Sequence, residues 1–123
     1  MKLGAFTVSL NVKDINKSKD FYEMLGFKVI KGNIADRFLF MKNDHCIIAL
    51  FQGIFHENTF SFYLNLDETM ERSKSFTEIS KLRKLFKKKE VKILFDPKTF
   101  DPDAKSILIA DPDGNTIHFE QLD

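Results

Sequence analysis

Apolar and polar positions alternate from the start of the chain. Phe6, Val8, Leu10 and Val12 take one face, and Thr7, Ser9 and Asn11 the other. A period of two marks a half-buried strand. Asp14 then stands where a helix N-cap belongs, its side-chain oxygen free for an orphan N–H. Ile15, Ser18, Phe21, Tyr22 and Leu25 follow at helical spacing, with Met24 on the edge of the stripe. Gly26 suits the left-handed position that closes a helix. Phe27 opens a second strand, and residues 37–41 and 46–51 read as a third and a fourth. Polar residues 42–45 turn the chain between the last two.

The pattern then restarts. Phe60, Phe62, Leu64 and Leu66 alternate with Ser61, Tyr63 and Asn65. Ser75 and Glu78 have capping-box spacing, and Phe76, Ile79, Leu82 and Phe86 form the stripe of a second helix. Lys87, Lys88 and Lys89 close it, where cations oppose the negative end of the helix dipole. Strands are expected over 91–95, 106–110 and 116–121, and Asp111-Pro112-Asp113-Gly114-Asn115 turns the chain between the last two.

The chain therefore reads strand, helix and three strands, twice over. Leu10-Asn11-Val12 matches Leu64-Asn65-Leu66 at an offset of 54, Lys28-Val29-Ile30 resembles Lys92-Ile93-Leu94 at 64, and residues 47–51 align with 116–120 at 69. Each half alone is too small to cover its own sheet, so the two are expected to share one domain over 1–123. Module one takes 1–53, a linker 54–58, and module two 59–123.

Composition narrows the function. Nineteen Lys and Arg against 18 Asp and Glu give a net charge of +1, which argues against a nucleic-acid partner. A single Cys, Cys46, excludes an internal disulfide framework and a multi-Cys zinc site; it reads as a small core residue. No apolar run is long enough to span a bilayer, so no membrane association is expected. The first residues run straight into strand pattern rather than a signal peptide, which makes the cytoplasm the expected location. The aromatic set is skewed, with 14 Phe, 2 Tyr and no Trp. Seven of the Phe residues (6, 21, 60, 62, 76, 86 and 119) fall on the strand face and helix stripes assigned to the core.

Two stretches carry a family resemblance. Residues 8–15 with Ser18, Phe21-Tyr22 and Leu25-Gly26-Phe27 form the first, and Asp111-Pro112-Asp113-Gly114-Asn115-Thr116-Ile117 the second. With the doubled unit, they resemble the vicinal oxygen chelate superfamily, which includes glyoxalase I, bleomycin-resistance proteins and ring-cleaving dioxygenases. The resemblance implies an α+β fold. Its two βαβββ modules would form a curled mixed sheet around a cleft, with helices on the outer face. It also implies a ligand in the cleft and a homodimer.

Metal-dependent members place His, Glu or Gln on the first and last strand of each unit. Carried over, those positions are Thr7, Ala49, Ser61 and His118, only one of which is a good ligand. No metal and no other cofactor is therefore expected. His118 and Glu120, two apart on one strand face, are the candidates for acid–base catalysis. His45 and His56 read as solvated loop residues. The polar strand faces supply the expected ligand contacts: Thr7, Ser9, Asn11, Ser61, Tyr63, Asn65, His118 and Glu120, joined by Arg37 for an anionic group. Phe51, Phe55 and Phe100 are candidates to wall the site.

Three functions remain open at this point. The first is a metal-free protein of the bleomycin-resistance type that binds a small organic molecule. The second is a lyase or isomerase of the glyoxalase type, metal-dependent or using His and Glu. The third is a non-catalytic partner-binding scaffold.

Overall fold

The computed structural model describes residues 1–123. Strand β1 (Ala5–Asn11), helix α1 (Ile15–Met24), and strands β2 (Lys28–Asn33), β3 (Phe38–Asn43) and β4 (Cys46–Phe51) make the first βαβββ series. The second consists of β5 (Thr59–Tyr63), α2 (Ile79–Lys88), β6 (Lys92–Phe95), β7 (Ser106–Ala110) and β8 (Thr116–Glu120). The α+β class and the doubled unit are as the sequence predicts.

The chain divides into two compact units, Thr7–Thr59 and Met1–Phe6 with Phe60–Asp123. The first six residues thus group with module two. Lys2 explains this: its backbone N–H donates to Thr77 Oγ1 at 3.0 Å and its carbonyl accepts from Thr77 N–H at 3.3 Å.

In the first unit the strand order is β2-β3-β4-β1, with β1 parallel to β4 and the other pairs antiparallel. One face carries Leu39, Met41 and Leu50 into a core with Ile15 of α1, and Leu10, Val12, Tyr22 and Phe27 pack against it. Helix α1 opens on Asp14, whose carboxylate accepts from the Asn16 and Lys17 N–H groups at 3.1 and 3.2 Å. It closes in a Schellman motif: Gly26 N–H bonds Glu23 O, Phe27 N–H bonds Tyr22 O, and the Tyr22 and Phe27 rings meet edge to face.

The second unit repeats this plan in the order β5-β8-β7-β6, with β5 parallel to β8. Its core joins Leu64, Ile107, Ile109 and Phe119 to Ile79, Leu82 and Phe86 of α2. The turn before β8 is tied by Asp111. The Asn115 side-chain amide, then the backbone N–H groups of Asn115, Asp113 and Gly114, hold its carboxyl below the usual carboxylate range.

The expected capping box does not form. Helix α2 starts at Ile79, four residues after Ser75, and Glu78 makes no side-chain cap. The first helical N–H donates instead to Gln121 Oε1 at 2.9 Å, just as Ile15 N–H donates to Gln52 Oε1 at 2.9 Å in the first unit. Each helix is thus capped by the glutamine that follows its module's last strand.

Helix α2 also ends in a Schellman motif, but Glu90 takes the position that Gly26 fills in α1, at φ +54°. A side chain there costs about 1–2 kcal/mol. Glu90→Gly is expected to stabilise the protein by about 1 kcal/mol in urea denaturation, net of the flexibility glycine adds to the unfolded chain.

Several expected core residues are exposed. Phe6 on β1, Phe60 on β5 and Phe21 on α1 itself are 47, 46 and 53% exposed. Of the seven Phe residues assigned to the core, Phe86 and Phe119 are buried and Phe62 and Phe76 half-buried. Cys46 is exposed as well, since it opens β4 beside the hairpin turn. Strand β5 ends at Tyr63 rather than running to Leu66, because Leu66 N–H turns back to Tyr63 O at 3.1 Å.

Register corrects the repeat. Ser9 lies opposite Ala49, and Ser61 opposite His118. With the last strands offset by 69, the first strands are offset by 52 rather than 54. The counterpart of Ser61 is therefore Ser9, and Thr7-x-Ser9 repeats as Thr59-x-Ser61.

Candidate functional site

Alternation along β5 and β8 sends Phe60, Phe62, Ile117 and Phe119 one way and Ser61, Tyr63, His118 and Glu120 the other. The second set lies on the face that α2 leaves uncovered. His118 is its centre and is only 5% exposed. Its Nδ1 lies 3.1 Å from Ser61 Oγ, and its Nε2 lies 3.3 Å from Glu120 Oε1. The Tyr63 ring meets the imidazole edge-on, with centroids 6.0 Å apart.

Hydrogen-bond logic assigns the neutral ring. A carboxylate only accepts, so the neutral tautomer that suits both neighbours would carry its proton on Nε2 toward Glu120 and accept at Nδ1 from the Ser61 hydroxyl. Ser61 and Tyr63 are buried, whereas Glu120 is about one-third exposed. This arrangement links a buried hydroxyl, through an imidazole, to a carboxylate that water reaches. It can hold a ligand's polar group or relay a proton.

In the first unit, Thr7 and Ser9 share the face of β1 turned away from the core, and both are fully buried. Thr7 Oγ1 has no hydrogen-bond partner. On the same face of the ladder lie Phe38, Phe40 and Phe51. The Phe38 and Phe51 rings are stacked at 6.1 Å, and Phe40 is edge-on to Phe51 at 6.2 Å. Phe55 closes edge-on against Phe51 at 4.9 Å.

The fold has clear relatives. A structure described as an NAD-dependent benzaldehyde dehydrogenase from Legionella pneumophila superposes with a TM-score of 0.72 at 21% identity, covering 96% of this chain and 99% of that one. A glyoxalase/bleomycin resistance protein/dioxygenase superfamily member from Vibrio splendidus 12B01 superposes at 0.63 and 18% identity, covering 95% and 97%. Comparison with the curated proteins finds no match. The family model of the Glyoxalase/Bleomycin resistance protein/Dioxygenase superfamily matches residues 4–119. The chain belongs to this superfamily.

For a superfamily member, the positions expected to bind ligand divide three ways. Ser61, Tyr63, His118 and Glu120 form one contacting cluster, and Thr7 and Ser9 share a buried strand face. Asn11 and Asn65 bond to other parts of the chain, and Arg37 stands apart, exposed. Asn11 donates through Nδ2 to His56 O at 3.3 Å and through its backbone to Asn58 Oδ1 at 2.9 Å. Asn65 pairs like a backbone group with Leu122, donating to its carbonyl at 2.6 Å and accepting from its N–H at 2.9 Å. Arg37 caps a short 3-10 turn (Ile34–Asp36) in the left-handed conformation and is exposed.

His45 and His56 are exposed in turns, and Phe100, 70% exposed, packs on Phe95. Phe38 and Phe40 are missing from the sequence-level site, although alternation from Phe51 across the β3–β4 hairpin was the signal that could have found them. No three His, Cys, Asp or Glu side chains gather as a metal-binding group.

Proposed function

We propose that this superfamily member binds a small organic molecule on its helix-free strand faces, without the metal that many relatives use. One observation carries the reading: the buried Ser61–His118 pair, with Tyr63 against it and half-buried Glu120 at its outer end. A buried imidazole and hydroxyl add little to stability over an apolar pair, so their cost is best explained by a ligand that uses them. The donor set does not fit the family's metal. The last strands offer Ala49 and His118, and Ser9 and Ser61 stand beside them. One imidazole and neutral hydroxyls fall short of the three or so strong ligands a catalytic site needs.

Location in the cytoplasm and homodimerisation belong to the same reading. No helix is long and apolar enough to cross a membrane. The exposed outer strands β2 and β6 leave backbone edges open to pairing.

A thermal-shift screen of metabolites, thiol conjugates and antibiotics tests the proposal. A hit is expected to raise Tm in the native protein, and His118→Ala is expected to weaken its binding about tenfold or more, as loss of one buried hydrogen bond predicts. No hit, or hits indifferent to His118→Ala, would remove the reading.

A second reading is favoured by the 3.3 Å contact between His118 Nε2 and Glu120. Such a pair suits a lyase or isomerase that moves a proton between neighbouring carbons of its ligand. Turnover of a screened ligand that Glu120→Gln abolishes while leaving its binding intact would establish the enzyme over the binding protein.

A further inference from the structure

The helix-free face of the first unit has a graded chemistry that the polar cluster of the second does not use. Cross-strand rows define it. In one row Phe38 lies opposite Phe51; in the next Phe40 lies opposite Ala49; in the third Lys42 lies opposite Ile47. Alternation puts Lys42 on this face, because Met41 beside it is fully buried in the core on the other side.

Thr7 belongs to the Lys42 end. It directly precedes Val8, whose partner Ile48 directly follows Ile47. At one end of the face, then, Phe38, Phe40, Phe51 and Phe55 meet ring to ring at 4.9–6.2 Å. At the other stand the half-buried Lys42 and the fully buried hydroxyl residue Thr7. Lys42 enters no ion pair, and Thr7 Oγ1 has no partner of any kind.

Both polar groups lack what they would need if the face were only structural. A buried hydroxyl without a partner destabilises a fold, and valine would fill the same space without that cost. The half-buried rings of Phe38 and Phe51 on this sheet face, with Phe55 beside them, offer edges and faces to another flat ring.

We propose that this face takes a planar aromatic anion. Its ring system would lie among Phe38, Phe51 and Phe55, and its carboxylate or similar group would point toward Lys42 and Thr7. The assignment rests on the small-molecule reading above and names its ligand class. Lys42 supplies the charge, Thr7 Oγ1 the hydrogen bond, and the Phe group the preference for a ring over an aliphatic chain. Thr7 is thereby a specificity residue whose hydroxyl is held at the expense of stability.

Calorimetric titration of the full chain with 2-naphthoate tests this. Decanoate serves as the acid without rings and 2-naphthylmethanol as the rings without charge. Naphthoate is expected to bind about tenfold or more tighter than either comparator. Lys42→Gln and Phe51→Leu are each expected to weaken it about tenfold, with Phe55→Leu, outside the strands, as the second aromatic variant should Phe51→Leu fail to fold.

Thr7→Val is the sharpest arm. It is expected to weaken naphthoate binding while raising Tm of the free protein by about 3 °C or more. Equal affinity for decanoate, affinity unchanged in the Lys42 and Phe variants, or no naphthoate binding at all would each overturn the aromatic-anion assignment. If at the same time a screened ligand still depended on His118, the binding reading would stand and only the ligand class would fall.

Discussion

Gly4→Ala is expected to cost about 3–5 kcal/mol of stability, the largest effect of any single methyl group in this chain. Gly4 has φ +78°, where an L side chain is strained. A Cβ placed there would lie 2.0 Å from the carbonyl oxygen of Tyr63. That contact is with backbone, which no rotamer change relieves. The strand end would have to move, and Tyr63 lies against His118, so the polar cluster would move with it.

The measurement is urea denaturation with Tm alongside. A loss below about 1 kcal/mol would mean that the first residues peel off module two at little cost. It would contradict the docking seen in the Lys2–Thr77 bonds.

The second large effect is expected at Arg83. Its guanidinium donates through Nε and Nη2 to the two Asp96 carboxylate oxygens at 3.3 and 3.1 Å, and through Nη2 to Ser106 O at 2.8 Å. The two side chains are 13 and 22% exposed. One residue of α2 thereby ties the loop after β6 to the start of β7.

Arg83→Met keeps the stem's packing and strands Asp96 in a largely desolvated site. The expected loss is about 2–3 kcal/mol, below the 3–5 of a fully buried pair because water still reaches both groups. Adding Asp96→Asn is expected to restore about 1 kcal/mol, since the orphaned charge is then gone. A double variant that adds further loss would show that the two residues act through separate partners.

Much of the fold was legible because period and punctuation agree. The Thr7–Ser9–Asn11 alternation, the Asp14 cap and the Gly26 stop each act within a few residues, and each forms as read. Strands β4 and β7 begin and end where the pattern places them. The signals that failed compete with distant partners. Ser75 and Glu78 have the letters of a capping box, yet Gln121, 42 residues from Ile79, takes the first helical N–H. The glutamines at 52 and 121 were visible as the next residues after the matched strands, but nothing local says where their amides reach.

The candidate site divides along the same line. His118 and Glu120 were readable as neighbours on one strand face, because alternation alone puts them there. Their contacts with Ser61 and Tyr63 depend on which residue of β5 sits opposite His118. The letters suggested an offset of 54 for that strand, and the parallel ladder sets 52. A shift of two keeps every side chain on its own face, so alternation could not detect the difference. Asn11, Asn65 and Arg37 have the right chemistry for a ligand; only the structure shows that Asn11 and Asn65 also bond to loop and tail residues, while the Arg37 side chain stands exposed.

By itself, then, the sequence determined the doubled βαβββ plan, the superfamily resemblance and the two chemical faces of each sheet. The plan and the faces rest on short-range periodicity, which side-chain transfer energy and backbone geometry impose on any chain with this pattern; the resemblance rests on the residue types at 8–27 and 111–117. The tertiary structure alone decided which residues meet across strands. It alone left Phe6, Phe21 and Phe60 uncovered, and it alone kept the hydroxyl of Thr7 buried and unpaired. Those outcomes depend on strand register and helix placement, and both are set by many weak contacts distant in the chain.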